Sequence, residues 1–353
     1  MEPPIREIER SERNRRRLPA LIGLAIVVVV GATWVGLFGF LGVNTAYGTV
    51  TAVEEAYLCN PETMDLEFPD LSRLSSVYTA DGVRLGELSE RNSLPVPLDD
   101  MPDLVVGAIL SAEDKRFYEH EGIDFNALGR AVVGRVTSSP SGGGSTITQQ
   151  VVKQNFYTDD QTIERKICEA VIAAELERRY DKDQILEFWA NSVYFGSNAY
   201  GIRAASLEYF GMELEELTIS EAALLPIPIR NPTFYHPRNN AANALAARNR
   251  TIDRMVENGY ILPADGARAK QQTLGVVPQA RNESVSPEIM IAVRQDLMTR
   301  PEFDVLGETQ AERKVAIFGC PADDTECEGG GGLTIDITVD HELQQEAERI
   351  LRS

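Results

Sequence analysis

Four clusters of polar residues follow one another between Ser111 and Gly196, inside segments whose pattern is otherwise apolar and helical. Their carboxylate, amide and cationic side chains are the types that move protons and stabilise negative charge. One such cluster is weak evidence of chemistry, but four in succession predict a functional site. The clusters are residues 113–122, 144–153, 165–169 and 182–191.

The second cluster opens with a Gly-rich loop that ends at Gly144. Thr146 and Gln149 fit a capping box, which predicts that a helix begins here. On that helix Thr146, Gln150 and Lys153 are spaced at i, i+4 and i+7 and therefore share one face. A hydroxyl, an amide and an ammonium in a row suit a phosphate or a sugar. A solvated face is the alternative interpretation.

The third cluster lies on a predicted helix that runs from Ile163 to Tyr180. Arg165 and Glu169 lie together at i, i+4, and Cys168 with Ile172 lies beside them, so this side is not plainly solvated. A Glu on a helix that is apolar on several sides should be paired or functional. A structural Arg165–Glu169 pair is the alternative. The predicted apolar stripe consists of Ile163, Ile167, Ala170, Val171 and Ala174.

In order and spacing, the clusters resemble the peptidoglycan glycosyltransferase domain (family 51) of class A penicillin-binding proteins and their monofunctional relatives. The family motifs are E-D-x-x-F-x-x-H-x-G, G-x-S-T-x-T-Q-Q-x-x-K-N, R-K-x-x-E and K-x-x-I-L-E-x-Y-L-N-x-x-x-x-G. The first and third are matched completely. Gln154 stands where Asn is usual, Trp189 and Ala190 replace Tyr-Leu, and a fifth motif, R-R-x-x-V-L-x-x-M, has Ala247 for its first Arg. The resemblance covers roughly residues 75–265.

The resemblance implies a mostly α-helical, lysozyme-like fold and polymerisation of lipid II, a disaccharide-pentapeptide carried on undecaprenyl pyrophosphate. The C4 hydroxyl of GlcNAc must lose a proton as it attacks C1 of MurNAc, and a pyrophosphate leaves. Glu113 matches the general base of the family, and Glu169 matches its second essential Glu, on the donor side. A single displacement inverts the anomeric centre.

The resemblance also implies a substrate-binding set around these two carboxylates. Lys153, Arg165 and Lys166 would supply positive charge for the pyrophosphate. Asp114 would orient Lys153 or, with Glu169, hold a divalent cation such as Mg or Mn. His120 would position Glu113 or close the end of its helix. The implied set is Asp114, Phe117, His120, Thr146, Gln149, Gln150, Lys153, Arg165, Lys166, Asn191 and Arg248.

The elements that must position Glu113 can be predicted from local signals. An Asp-Gly turn at Asp81 predicts a hairpin within residues 77–85. A helix that begins near Pro102, capped by Asp99 or Asp100, should carry Glu113 near its end and stop at Gly122. Short basic amphipathic runs in residues 123–143 suggest contact with lipid headgroups, with ordinary packing as the alternative.

The N-terminal region predicts a membrane anchor. Leu18 to Val43 carries no charge and follows three arginines, so a retained transmembrane helix with a cytoplasmic N-terminus is expected. A cleavable signal peptide is the alternative. The catalytic domain should then lie outside the cell membrane. The net charge of −20 argues against nucleic acid as a partner.

These signals divide the 353 residues into a cytoplasmic tail (1–17), a transmembrane helix (18–43), a stalk (44–74), the glycosyltransferase domain (75–265), a linker region (266–332) and the start of a C-terminal, transpeptidase-type domain (333–353). Residues 333–339 alternate as a strand does. No Ser-x-x-Lys, Ser-x-Asn or Lys-Thr-Gly motif is present, so we expect a truncated chain.

The cysteines and histidines give weaker signals. Cys320 and Cys327 flank a short loop and suit a disulfide, whereas the pairing of Cys59 stays open. Cys168 is expected to be a small buried residue rather than a nucleophile. Three scattered histidines do not predict a zinc site.

Two other functions compete with polymerisation. A lytic transglycosylase or muramidase on the same type of fold would cleave glycan and would need no cations for a pyrophosphate. A membrane-anchored scaffold with a decayed site would not keep the Glu113 and Glu169 motifs complete. Lipid II, the growing glycan strand, membrane lipid and other cell-wall synthesis proteins are the expected partners of a polymerase.

Overall fold

The computed structural model describes residues 61, 64–127, 129, 144–156, 163–279, 286–321, 327 and 329–352. The expected cytoplasmic tail, the transmembrane helix, most of the stalk, Cys59 and residues 130–143 lie outside this part of the chain. Within it, helices predominate, as expected. The strands are β1 (Ser75–Tyr78), β2 (Arg84–Leu88), β3 (Asn92–Ser93), β4 (Tyr194–Gly196), β5 (Ala199–Tyr200) and β6 (Thr334–Asp336).

Helices occur from Asp103 to Arg352 in the described part of the chain. They are α1 (Asp103–Glu113), α2 (Ile147–Phe156), α3 (Ile163–Arg179), α4 (Lys182–Ser192), α5 (Ile202–Phe210), α6 (Ile219–Leu224), α7 (Ile227–Arg230), α8 (Ala241–Glu257), α9 (Pro263–Ala269), α10 (Pro287–Thr299), α11 (Gln310–Phe318) and α12 (His341–Arg352). The main apolar core is shared by α1 to α9, and the indole of Trp189 is fully buried in it.

One sheet joins the two ends of the described chain. The hairpin predicted at Asp81 is confirmed, since β1 and β2 pair antiparallel and Gly82 has a φ of +81°. β6 pairs parallel with the other edge of β1, which gives the order β2-β1-β6. This sheet packs against α10 and α11 in a second apolar cluster. Segments from the predicted glycosyltransferase domain, the linker region and the C-terminal domain therefore share one sheet and one apolar cluster.

Helix α1 carries Glu113 in its last turn. It begins at Asp103 after Pro102, whose restricted φ suits the start of a helix. The prediction that Asp99 or Asp100 caps it is wrong, because both lie in a separate 3₁₀ helix and α1 has no side-chain cap. The predicted stop at Gly122 is also wrong. The backbone already leaves the helix at Asp114, whose carboxylate bonds to the start of α2.

Helix α3 is confirmed, but it turns a different face to the core than the predicted stripe. Ile167 and Val171 are 51% and 42% exposed, whereas Ile172 is fully buried and Glu169 is 1% exposed. Hydrophobic periodicity assumes that charged groups face water. Here the charge of Glu169 is neutralised by neighbouring cations, so its side of the helix can be buried.

The cysteines of the described chain are all oxidised. Cys320 and Cys327 form the predicted disulfide. Cys168 is only half-buried rather than buried, and it is itself disulfide-bonded, so it offers no thiol for nucleophilic attack.

Candidate active site

The carboxylate of Glu113 is held on both of its oxygens. The side-chain amide of Gln150, on α2, donates to Oε2 at 3.0 Å. Nε of Arg230, the last residue of α7, donates to Oε1 at 3.0 Å. The side chain of Glu113 is 7% exposed, so the carboxylate is shielded but still reaches the surface of a cavity. Donors on both oxygens hold an ionised carboxylate in one orientation.

That cavity has a volume of about 230 Å³. Its walls come from the end of α1, the following loop, the start of α2, the end of α7 and the end of α8. The lining residues are Ser111, Ala112, Glu113, Asp114, Lys115, Asp124, Ala127, Ser145, Thr146, Arg230, Arg254, Glu257 and Asn258. Acidic and basic side chains therefore meet in one concave site around Glu113.

Glu169 lies in a cluster of charges beside this cavity. Arg165 contacts its Oε2 at 3.2 Å, and Nζ of Lys166 lies 2.5 Å from its Oε1. Nζ of Lys166 also lies 3.3 Å from the hydroxyl of Ser145, which lines the cavity. Two cations on one carboxylate leave a net positive charge. Lys166 is 48% exposed in its side chain, so part of that charge faces solvent.

A model of the transglycosylase family matches residues 81–256, which include Glu113, Glu169 and the lining residues of the cavity other than Glu257 and Asn258. The chain carries a transglycosylase domain of the class A penicillin-binding protein type.

The relatives of this chain are consistent with that assignment. It is 36% identical to penicillin-binding protein 1F of Bacillus subtilis over 79% of this chain and 36% of that protein. It is 38% identical to penicillin-binding protein 1A of Aquifex aeolicus over 68% of this chain and 34% of that protein. It is 33% identical to penicillin-binding protein 1A of Escherichia coli over 74% of this chain and 30% of that protein. The chain spans about a third of the length of these relatives.

In the transglycosylase domain, Asp114 organises the start of α2. Its Oδ2 accepts the backbone N–H of Ile147 at 3.1 Å and the ring Nε2 of His120 at 2.9 Å. The other ring nitrogen of His120 lies 3.4 Å from Nζ of Lys182, which also pairs with Glu177 at 2.8 Å. Asp114 and His120 thus join the loop after α1 to three helices. In this arrangement neither orients Lys153, and His120 supports Asp114 rather than Glu113.

The capping box at the start of α2 is confirmed. The backbone N–H of Thr146 donates to Gln149 Oε1 at 2.9 Å, and that of Gln149 donates to Thr146 Oγ1 at 3.1 Å. The hydroxyl of Thr146 also donates to the carbonyl of Gly122 at 2.7 Å. Both side chains are buried and engaged in these bonds. Of the predicted polar face, Thr146 is used by this cap and Gln150 by Glu113, so Lys153 is the member left to meet a ligand.

Lys153 is exposed on α2, and among the described residues no carboxylate pairs with it. A cation without an internal partner keeps its full charge for a ligand. This placement agrees with either interpretation of the face, a phosphate contact or a solvated surface.

Three other residues of the predicted substrate-binding set lie in the interior. Phe117 is 1% exposed, with Nζ of Lys182 above its ring. The amide of Asn191 pairs with both the N–H and the carbonyl of Val96 at 2.9 and 2.8 Å. Arg248 is fully buried, and burial lowers the pKa of its guanidinium.

The bonds of Arg248 give it a structural role. Its guanidinium donates to the hydroxyl of Ser220 at 2.6 Å and to the carbonyls of Gln272 and Thr273 at 2.9 and 3.1 Å. These bonds connect α8 to α6 and to the segment after α9. Arg248 is absent from the walls of the cavity, so we assign it to the packing of the transglycosylase domain rather than to the substrate.

Arg230 and Arg254 are site residues that sequence reasoning missed. Nη1 of Arg254 donates to the carbonyl of Ala112 at 3.2 Å, and Nη2 of Arg230 donates to the same oxygen. The last carbonyls of a helix lack partners within it and attract cations. Burial, and then the charge of Arg230, lowers the pKa of Arg254. The fifth motif includes Arg254, but nothing local relates either arginine to Glu113.

The residues proposed to hold a divalent cation do not fit one. Both oxygens of Glu169 are engaged by Arg165 and Lys166, and Asp114 accepts two hydrogen bonds on one oxygen. Within the described ranges, no three His, Cys, Asp or Glu side chains are grouped to hold a metal ion.

Proposed function

We propose that this chain polymerises lipid II into glycan strands for bacterial cell-wall synthesis and releases undecaprenyl pyrophosphate. The observation that carries the proposal is Glu113, oriented by Gln150 and Arg230 at the wall of a cavity, with a cationic cluster beside it. A general base for a sugar hydroxyl and positive charge for a leaving pyrophosphate are the two requirements of this reaction.

In the proposed reaction, Glu113 takes the proton of the C4 hydroxyl of GlcNAc while that oxygen attacks C1 of MurNAc. The bond between C1 and the pyrophosphate oxygen breaks, and its electron pair leaves with the pyrophosphate. Attack from the face opposite the leaving group inverts C1, so no glycosyl-enzyme intermediate is needed. Arg230 and Gln150 keep the carboxylate in the orientation that receives the proton.

The positive charge is placed to compensate the leaving group. Glu169 holds Arg165 and Lys166 in place, and the excess positive charge of this cluster, with Lys153, stabilises the charge that grows on the pyrophosphate. A lytic enzyme cleaves a glycan without a pyrophosphate and would gain nothing from this cluster. The cations therefore favour polymerisation over lysis.

We also propose that the polymerase is anchored in the cell membrane by residues 18–43, with residues 44–353 outside. Among the described residues, no helix is both long enough and apolar enough to span a bilayer, and the proposed anchor lies outside them. Protease added to intact spheroplasts should digest the large domain. Full protection of that domain, or a mature N-terminus beyond Val43, would contradict the anchor.

The proposed function is tested with the purified full chain in detergent and lipid II. Polymer is separated from monomer by electrophoresis, and the undecaprenyl pyrophosphate released is measured separately. We expect one undecaprenyl pyrophosphate to be released for each disaccharide that is added to the polymer. Cleavage of preformed glycan without polymerisation of lipid II would instead assign the chain to the lytic enzymes.

A further inference from the structure

The indole of Trp189 lies beneath the site, behind Gln150. Trp189 lies on α4, is fully buried, and donates through Nε1 to Oε1 of Gln150 at 3.1 Å. The Nε2 of the same amide donates to Oε2 of Glu113 at 3.0 Å. An uninterrupted chain of two hydrogen bonds therefore runs from the core to the carboxylate proposed as the base.

The chemistry of the three groups allows only one orientation of the amide. An indole N–H is a donor only, and an ionised carboxylate is an acceptor only. The Gln150 amide has a donor end and an acceptor end of nearly the same shape. Turned by 180°, it would set its N–H₂ against the indole N–H and its oxygen against the carboxylate. Both contacts would then be repulsive, so Trp189 selects the orientation that serves Glu113.

We infer that Trp189 is a positioning residue for the base. It acts through Gln150, which it holds with the amide N–H₂ turned towards Glu113. Full burial excludes water from the indole N–H, so no solvent molecule replaces Gln150 as its acceptor. The inference rests on the proposed function and deepens it, because it names a residue that the reaction needs without contact to substrate.

The test removes the N–H of Trp189 and little else. Replacement of Trp189 by benzothienylalanine exchanges the N–H for sulfur and keeps the bicyclic shape, whereas 7-azatryptophan at the same position keeps the donor. Trp189→Phe also removes the N–H and can be made by ordinary mutagenesis, but the smaller ring leaves a cavity in the core. Tyr209→Phe is the matched control, since it removes another buried aromatic donor, which bonds to the carbonyl of Phe195 at 2.8 Å.

With lipid II as substrate, we expect the benzothienyl form to lose about tenfold in kcat, the worth of one typical buried hydrogen bond, with KM little changed. The 7-azatryptophan form and Tyr209→Phe should keep the native kcat. In a Gln150→Ala background, the benzothienyl replacement should have no further effect on kcat, because the path through the amide is already gone. A purely structural role of Trp189 would lower kcat in both backgrounds.

Two outcomes overturn the inference while the proposed function stands: native kcat in the benzothienyl form, or an equal loss of kcat in the Gln150→Ala background. An inactive native chain would contradict the proposed function. A second measurement, which does not depend on turnover, tests the inference in that case. The ¹⁵N side-chain amide signal of Gln150, identified by its loss in Gln150→Ala, should shift in the benzothienyl form, because the amide oxygen loses the indole donor, and should stay in place in Tyr209→Phe. An unchanged signal in the benzothienyl form would overturn the inference independently of activity.

Discussion

Arg230 and Glu113 form an ion pair at 3.0 Å although 117 positions separate them in the chain. The same arginine also donates to the carbonyl of Ala112, the residue before Glu113. Arg230 therefore holds both the side chain and the backbone at the end of α1. The proposed base is fixed from one side by this contact and from the other by Gln150.

Replacement of the base is the first prediction. Glu113→Gln keeps the size of the side chain but cannot accept a proton, so the polymerisation rate should fall by ~10²–10⁴-fold. The variant should remain folded, as judged by circular dichroism, since Arg230 keeps an oxygen acceptor. Polymer formation from lipid II at more than half the native rate would show that Glu113 is not the general base.

Removal of the arginine partner is the second prediction. Arg230→Gln should lower kcat about 10- to 100-fold, because a charge-assisted hydrogen bond that orients the base is lost. Arg230→Lys should be intermediate, since an ammonium lacks the fork that contacts two oxygens. The matched control is Arg203→Gln, which breaks a surface pair with Glu213. Equal rates for Arg230→Gln and the control would show that this ion pair is not needed for turnover.

The third prediction concerns the exposed cation of α2. Lys153→Ala should lose turnover by the equivalent of ~3 kcal/mol if its charge meets the leaving pyrophosphate, and Lys153→Arg should lose less. Binding of a phosphoglycolipid inhibitor that mimics the donor should weaken in parallel, at an unchanged melting temperature. Lys314→Ala removes a surface lysine that pairs with Glu90, and it should change neither quantity. Native turnover in Lys153→Ala would leave Arg165 and Lys166 as the cations for the phosphate.

The fourth prediction concerns stability in acid. Burial raises the pKa of Asp124, but hydrogen bonds from Arg116 and from the backbone of Ala127 and Asn126 lower it to about 2, from an ordinary value of 3.8. A folded pKa below the unfolded one contributes stability that is fully present above about pH 4 and is lost as the pH falls through about 2.

Asp124→Asn should therefore reduce the free energy of unfolding by about 2 kcal/mol at neutral pH. The difference from the native chain should shrink between about pH 4 and pH 2. Chemical denaturation across this range measures it, with Asp183→Asn as the control for an exposed carboxylate. A difference that stays constant down to pH 2 would contradict the link to Arg116.

Local chemistry was sufficient where the interacting groups lie within a few residues. The capping box of Thr146 and Gln149 and the hairpin at Gly82 each depend on contacts inside one turn of chain, so they can be predicted from sequence. The pairing of Arg165 with Glu169 is of the same kind. The match to the glycosyltransferase motifs located Glu113 and Glu169 for the same reason, since each motif is a short run.

The sequence by itself thus determined the helical class, the starts of several elements, the disulfide between Cys320 and Cys327, and the two carboxylates on which the proposed function depends. Only the tertiary structure decided which neighbours those carboxylates have. Gln150 and Arg230 reach Glu113 from two other helices, and Trp189 reaches Gln150 from a third. Arg248 is held inside by the carbonyls of Gln272 and Thr273, which follow a different helix. Such contacts depend on how helices pack, and periodicity within one helix carries no information about the polar groups of another.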